Sequence, residues 1–367
     1  MIMKKSILAL FMCVACFSGA FAQQKYHVSG NASAELNGKS VYLYDVANRR
    51  PVAIDSTQVK DGKLAMSGQL AAPRFVSLSI PATHSSVTVY LDETPITFDL
   101  TGKTPIYKGS AVNNLLSEFA QKMAPINELS KQLNEDYIAM KKKGEISKEQ
   151  MEELYRRDDE IISQQKKIVV DIIKANSDNL AAAYLLEMNH MDLDYDVLVQ
   201  LMALQGSIRN TSQYQRVAKY VEATKRAQVG QPFTHFDMAD VDGKMHNTKE
   251  FVGNGKYVLV DFWASWCGPC RAEMPNVKKA YDTYKDKGFD ILGISLDGKK
   301  EAWVKAINDL GLTWNHLSDL KAWKCEAAGL YGVRGIPFML LVGPDGKIVA
   351  QNLRGEALQK KLEEVLK

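Results

Sequence analysis

The sequence predicts a C-terminal α/β unit of mixed strands, preceded by a small all-β domain and a helical segment. Three patterns carry this. Residues 24–110 hold short runs that alternate apolar with polar side chains. Residues 111–228 repeat their apolar side chains at steps of three and four. Residues 229–367 alternate near-continuous apolar runs of strand length with helix-period stretches. The first pattern is that of half-buried strands, the second of amphipathic helices, and the third of strands covered on both faces. At 367 residues the chain exceeds one ordinary core. With 46% hydrophobic and 24% charged residues it has the composition of a soluble globular protein.

The strands of 24–110 are read from Tyr26-His27-Val28-Ser29-Gly30, Lys39-Ser40-Val41-Tyr42-Leu43-Tyr44, Phe75-Val76-Ser77-Leu78-Ser79-Ile80 and Ser86-Val87-Thr88-Val89-Tyr90-Leu91. Asn37-Gly38, Asp61-Gly62 and Thr101-Gly102 supply the turns. Short strands at this spacing predict an antiparallel sandwich or barrel. In the helical segment, Leu116, Phe119, Met123, Ile126, Leu129, Leu133, Tyr137 and Met140 define one face, ended by Lys141-Lys142-Lys143-Gly144. A second stripe runs through Met151, Leu154, Ile161, Ile168 and Ile172, and shorter helices follow with Asp178 and Asp194 as candidate N-caps. Such stripes bury against the same chain, or pair two copies as a homodimer through this segment.

From Val229, Tyr257-Val258-Leu259-Val260-Asp261-Phe262-Trp263 reads as a buried strand, followed by a helix through Tyr284 and a second buried strand from Phe289 to Ile294. A helix over Ala302 to Leu310 comes next. Phe338 to Val342, the turn Asp345-Gly346 and Lys347-Ile348-Val349 make a hairpin, and a helix from Glu356 ends the chain.

Residues 1–22 read as an export signal. Lys4 and Lys5 precede the apolar run Ile7 to Phe17, and Ala20-Phe21-Ala22 offers the small residues of a cleavage site. A periplasmic or otherwise extracytoplasmic location is therefore expected. Lipid attachment at Cys16 is the rival reading, although Cys13 stands where such signals carry a large aliphatic residue. Without this segment, 44 basic side chains face 43 acidic ones, so no strong field remains to attract nucleic acid or an anionic membrane. Five cysteines also reduce to three, Cys267, Cys270 and Cys325, too few for a disulfide scaffold.

Two of those three form Trp266-Cys267-Gly268-Pro269-Cys270, where a buried strand ends and a helix begins. The first cysteine then meets the free N–H groups and positive dipole end of the helix, which stabilise a thiolate. Pro269 suits the first turn, where its missing N–H costs nothing. The spacing predicts an exposed nucleophile at Cys267 and a sheltered resolving thiol at Cys270.

Val260 through Cys270 resembles the active-site segment of the thioredoxin family. Pro275, five residues after Cys270, matches that family's kinking proline, and Gly335-Ile336-Pro337 its cis-proline loop. Arg271-Ala272-Glu273-Met274-Pro275, with the stretch from Gly288 to Trp314, resembles the exported branch related to cytochrome c maturation proteins and alkyl hydroperoxide reductases. The resemblance covers about residues 229–367 and implies a thioredoxin fold. It also implies a thiol-disulfide oxidoreductase that reduces apocytochromes or other extracytoplasmic disulfides, without a cofactor. Asp261 would be the buried carboxylate that accepts the Cys270 proton, with a raised pKa. Glu273 would tune the same thiols. Pro337 would be cis, Ile336 would pair with the substrate backbone, and Trp266 would contact substrate from an exposed position. Trp263 reads as core. Residues 24–110 resemble a domain of unknown function found ahead of exported thioredoxin-like domains.

Other readings of the cysteines are weaker. A zinc site needs ligands that neither Cys325 nor the six scattered histidines supply. A peroxidase would carry a solitary cysteine in a proline- and threonine-rich segment. Cys325, near Trp323 and Leu330, is expected to be a buried inert thiol, with an exposed regulatory cysteine as the alternative. The first 228 residues also admit a binding or assembly protein that carries an accessory redox module. Gly-Pro between the cysteines and Ile336 before Pro337 resemble reducing thioredoxins more than oxidants or isomerases, and the resemblance implies reduction of disulfide-containing proteins. A reductant outside the cytoplasm needs a membrane electron donor.

Overall fold

The computed structural model describes residues 24–45 and 51–366. The export segment, with Cys13 and Cys16, lies outside the described residues. The chain divides into two compact units, Met1–Ile168 and Val169–Lys367.

The first unit opens on β1 (Gln24–Ala32), β2 (Ser40–Asp45), β3 (Val52–Gln58), β4 (Lys63–Leu70), β5 (Arg74–Ile80), β6 (Ser85–Leu91), β7 (Ile96–Leu100) and β8 (Ile106–Lys108). These form two four-stranded sheets in the orders β4-β1-β7-β8 and β3-β2-β5-β6. Alternation decides which side chains are covered. In β7, Ile96, Phe98 and Leu100 are buried while Thr97 and Asp99 are exposed. The expected all-antiparallel pairing holds except between β1 and β7, which run parallel. Turn signals announce hairpins, whereas a parallel pair needs a long crossover, and here the whole second sheet intervenes.

Helix α1 (Ala111–Lys143) follows, ended by Gly144. Near its start, the buried Asn113 donates to Tyr90 O and accepts from Tyr90 N, both at 2.8 Å. Helix α2 (Lys148–Ala175) begins in the first unit and ends in the second. Ile126, Leu133, Leu154 and Ile161 form a buried cluster with Tyr137, Met140 and Met151 packed against it. Leu129, expected on that face, is exposed.

The second unit continues with α3 (Leu180–Asn189), α4 (Tyr195–Met202) and α5 (Ser212–Lys225). The cap of α3 is Asn179, whose side chain accepts from Ala181 N at 2.9 Å. Asp178, the expected cap, is turned to Ser207, whose N–H it accepts at 2.8 Å. After the two-stranded ribbon β9 (Asp237–Ala239) and β10 (Met245–Asn247), the chain runs through β11 (Tyr257–Trp263), α6 (Gly268–Tyr284), β12 (Phe289–Ser295), α7 (Lys300–Leu310), β13 (Asn315–Leu317), α8 (Glu326–Leu330), β14 (Phe338–Val342), β15 (Ile348–Gln351) and α9 (Gly355–Val365).

The five-stranded sheet has the order β13-β12-β11-β14-β15. Strands β11, β12 and β13 are parallel, and β14 and β15 antiparallel to their neighbours. This is the thioredoxin fold. The central β11 is buried from Val258 through Trp263, as its unbroken apolar run requires. Beside it, Gly293 of β12 pairs in register with Asp261. A Cβ on Gly293 would lie 2.3 Å from His316 Nδ1 and 3.2 Å from Trp263 Nε1, so only glycine lets those rings approach the sheet.

Candidate active site

The reactive pair sits where β11 hands over to α6. Cys267 is the N-cap of α6, with extended backbone, and its Sγ accepts from Cys270 N at 3.1 Å. Cysteine thus stands where helices usually place serine or aspartate. Cys267 and Cys270 are joined as a disulfide. In this form Cys267 retains 4% of its exposure and Cys270 retains 1%. The expected exposed nucleophile is therefore nearly covered, since bonding to Cys270 draws its sulfur against the helix start. Its Sγ also lies 3.6 Å from the carbonyl oxygen of Ile336. The Ile336–Pro337 peptide is cis, which brings the loop before β14 against the cysteines.

On β11, Asp261 is wholly buried and neither carboxylate oxygen has a hydrogen-bond partner. Burial is the main force that pushes its pKa up from 3.8 to about 7; the nearby charge of Glu273 adds to the rise and that of Arg354 opposes it. Glu273 stands one helical turn after Cys270, on the side of α6 that also buries Met274 and Val277. Its Oε1 accepts from Gly355 N, the first residue of α9, at 2.7 Å. Glu273 therefore ties α6 to the positive end of α9. Arg354, next to Gly355, donates to Pro337 O at 2.5 Å. Two hydrogen bonds at adjacent residues thus tie the cysteine helix and the cis-proline loop to the start of α9, and their charged partners, Glu273 and Arg354, are the two charges that act on Asp261.

Asp297, which sequence reasoning missed, holds the other side. It is 1% exposed. Its Oδ2 accepts from Ser265 N at 2.9 Å and Ser295 Oγ at 2.8 Å, and its Oδ1 from Ser265 Oγ at 2.5 Å. Three donors thereby satisfy a buried carboxylate and fix the loop that leads into Cys267. Trp266 is exposed and Trp263 is core, as expected. Cys325 is buried, and burial pushes its thiol up to about 11. Trp323, taken from sequence as a sign of that burial, is itself exposed and packs on Trp266.

Beside the cis-proline loop, Arg334, Gly335 and Phe338 join Tyr195 and Tyr220 in lining a cleft of about 500 Å³. A larger cleft of about 870 Å³ in the first unit is lined by Ser29, Ser56, Thr57 and Thr97 and holds none of the site residues expected from sequence. Among the described residues, no helix is long and apolar enough to cross a membrane.

Comparison with known proteins places this geometry in context. The AhpC/TSA family matches residues 229–351, and a domain of unknown function, DUF4369, matches residues 26–116. The thiol-disulfide oxidoreductase ResA of Bacillus cereus is 31% identical over 170 residues, which cover 46% of this chain and 92% of that protein. ResA of Bacillus thuringiensis is 35% identical over 143 residues, covering 39% of this chain and 79% of that protein. The solved thioredoxin domain of a thiol-disulfide oxidoreductase from Bacteroides vulgatus is 37% identical. It covers 38% of this chain and 99% of its own, with a TM-score of 0.36.

Proposed function

The chain belongs to the thiol-disulfide oxidoreductases with an AhpC/TSA thioredoxin-like domain, and from that premise we propose that it reduces protein disulfides outside the cytoplasm through a Cys267–Cys270 dithiol. The observation that carries this is the placement of Cys267 as the N-cap of α6, its sulfur already accepting the Cys270 N–H. In the reduced state the same N–H groups and helix end favour the Cys267 thiolate.

The Cys267 thiolate attacks one sulfur of a substrate disulfide. A mixed disulfide forms on Cys267, and the first substrate sulfur leaves as a thiolate and takes up a proton. Cys270 gives its proton to the Asp261 carboxylate and attacks Cys267 Sγ. The mixed bond breaks, the second substrate thiol departs, and the Cys267–Cys270 disulfide stores the two electrons' worth of oxidation. With its pKa near 7, Asp261 is matched to proton exchange at neutral pH. Glu273 raises the proton affinity of Asp261 and so tunes that step. The carbonyl of Ile336, held at Cys267 by the cis peptide to Pro337, offers backbone pairing to a substrate strand. Trp266 adds an exposed contact.

The extracytoplasmic site rests on the export-signal reading of residues 1–22. Regeneration then needs a dithiol donor that carries electrons through the membrane. A peroxidase reading finds no support in Cys325, whose buried thiol is pushed up to about 11, far from ionisation at neutral pH.

Insulin reduction tests the proposal. The reduced chain should precipitate the insulin B chain, and Cys267→Ser should abolish this. Cys270→Ser should instead accumulate a mixed disulfide on Cys267, visible by mass spectrometry. Turnover by Cys267→Ser would refute the assignment.

A further inference from the structure

One exposed indole directly precedes Cys267, and a second exposed indole packs on it. Every tryptophan of the chain lies in the second unit. Trp263, Trp303 and Trp314 are buried, whereas Trp266 is 52% and Trp323 49% exposed. The exposed two touch, with ring centroids 5.9 Å apart at 53°. They come from separate segments: Trp266 directly precedes Cys267, and Trp323 lies in the short 3-10 turn Ala322–Lys324.

A single residue holds both segments. The Asp297 carboxylate accepts from Ser265 N and Oγ, and its carbonyl oxygen accepts from Ala322 N at 3.4 Å. The far end of the turn is fastened by Asp319, which accepts from Lys321 N at 3.1 Å and Glu326 N at 2.9 Å. Leu320 and Ala322 adopt left-handed backbone, at φ 53° and 49°, which side chains other than glycine rarely do. Bonds on both sides keep the turn in that conformation, and its product is an indole held in solvent against a second one.

We propose that Trp266 and Trp323 form an aromatic platform that selects substrates carrying an apolar or aromatic side chain next to the reactive cysteine. The proposal rests on the exchange reaction set out above and names the substrate class for that site. Its occupant follows from covalent geometry. A mixed disulfide holds the two cysteine Cα atoms about 6 Å apart, and the next substrate residue is about 4 Å further on. That residue's side chain is within reach of Trp266 and, through it, of Trp323. Two indole faces offer it apolar area and offset or edge-to-face ring contacts.

The test uses the full chain, reduced, and three short peptide disulfides that differ only in having Phe, Gly or Arg beside each cysteine. The second-order rate constant for oxidation of the chain should be about fivefold larger with the Phe peptide than with the Gly peptide. In Trp323→Ala the ratio should fall to near one, and in Trp323→Phe most of it should return. A ratio unchanged in Trp323→Ala overturns the platform, as does an Arg peptide that outpaces the Phe peptide. Equal slowing of all three peptides in Trp323→Ala assigns Trp323 to support of the thiols and also overturns it. If the parent chain reduces none of them, the exchange reading fails by itself. The platform is then read from indole fluorescence on adding the Phe peptide with Ser in place of Cys. A shift in the parent that Trp323→Ala lacks upholds it, and equal shifts, or none, refute it.

Discussion

Replacing Asp261 by Asn separates the cost of a buried acid from its use. The unfolded chain releases the Asp261 proton near 3.8 and the folded chain near 7. Between those values the folded state binds more protons, so the free energy of unfolding falls as pH rises and levels off above about 7. At about 1.4 kcal/mol for each tenfold change in proton affinity, the penalty reaches about 4 kcal/mol at pH 8 and vanishes toward pH 4. Asparagine carries no titrating proton. Asp261→Asn should therefore exceed the parent in stability by up to about 4 kcal/mol at pH 8, with the difference shrinking steadily toward pH 4. Guanidinium denaturation of the oxidised protein measures this by tryptophan fluorescence, a signal that reports on Val169–Lys367 alone because all five tryptophans lie there. In the same variant, loss of the mixed disulfide should be slow at every pH. A stability difference that does not change between pH 4 and pH 8 would refute a buried acid at this position.

Glu273→Gln keeps an acceptor for the Gly355 N–H but removes the charge that raises Asp261. The pH midpoint of mixed-disulfide resolution should then drop below that of the parent, and an unmoved midpoint would free Glu273 of this role. Maleimide labelling of the reduced native protein at pH 8 should modify Cys267 well before Cys325, whose thiol is pushed up to about 11; peptide mapping reads the order. Asp297→Ala leaves Ser265 N, Ser265 Oγ and Ser295 Oγ without their acceptor. At about 1 kcal/mol or more for each stranded donor, it should cost the second unit about 3 kcal/mol in the same denaturation assay.

What could be read from residue order was whatever lies close in sequence. The β11 run announces a strand covered on both faces, and the same apolar neighbours announce the burial of Asp261. The cysteine pair and the β14–β15 hairpin are likewise local patterns. Residues brought in from afar left no local trace. Asp297 reads as a polar residue after a strand, Arg354 as a charge before a helix, and Trp323 as an apolar neighbour of a buried Cys325. Only the folded sheet shows that the first clamps the cysteine loop, the second caps the cis-proline carbonyl and the third faces water. The strand β13 escaped for another reason. It has three residues, two of them Asn315 and His316, and a buried histidine tolerated at Gly293 cannot be told from a solvated one in sequence. The parallel pairing of β1 with β7 is similarly a property of the crossover and not of either strand.

The covered sulfur of Cys325 has a consequence for the electrons that the second unit can hold. Burial covers the Cys325 sulfur and pushes its thiol up to about 11, which makes it a poor nucleophile for disulfide exchange at neutral pH. Among the described residues, Cys267 and Cys270 therefore form the single dithiol–disulfide couple. A couple of that size holds one pair of electrons at a time, so the second unit keeps no internal reserve beyond it.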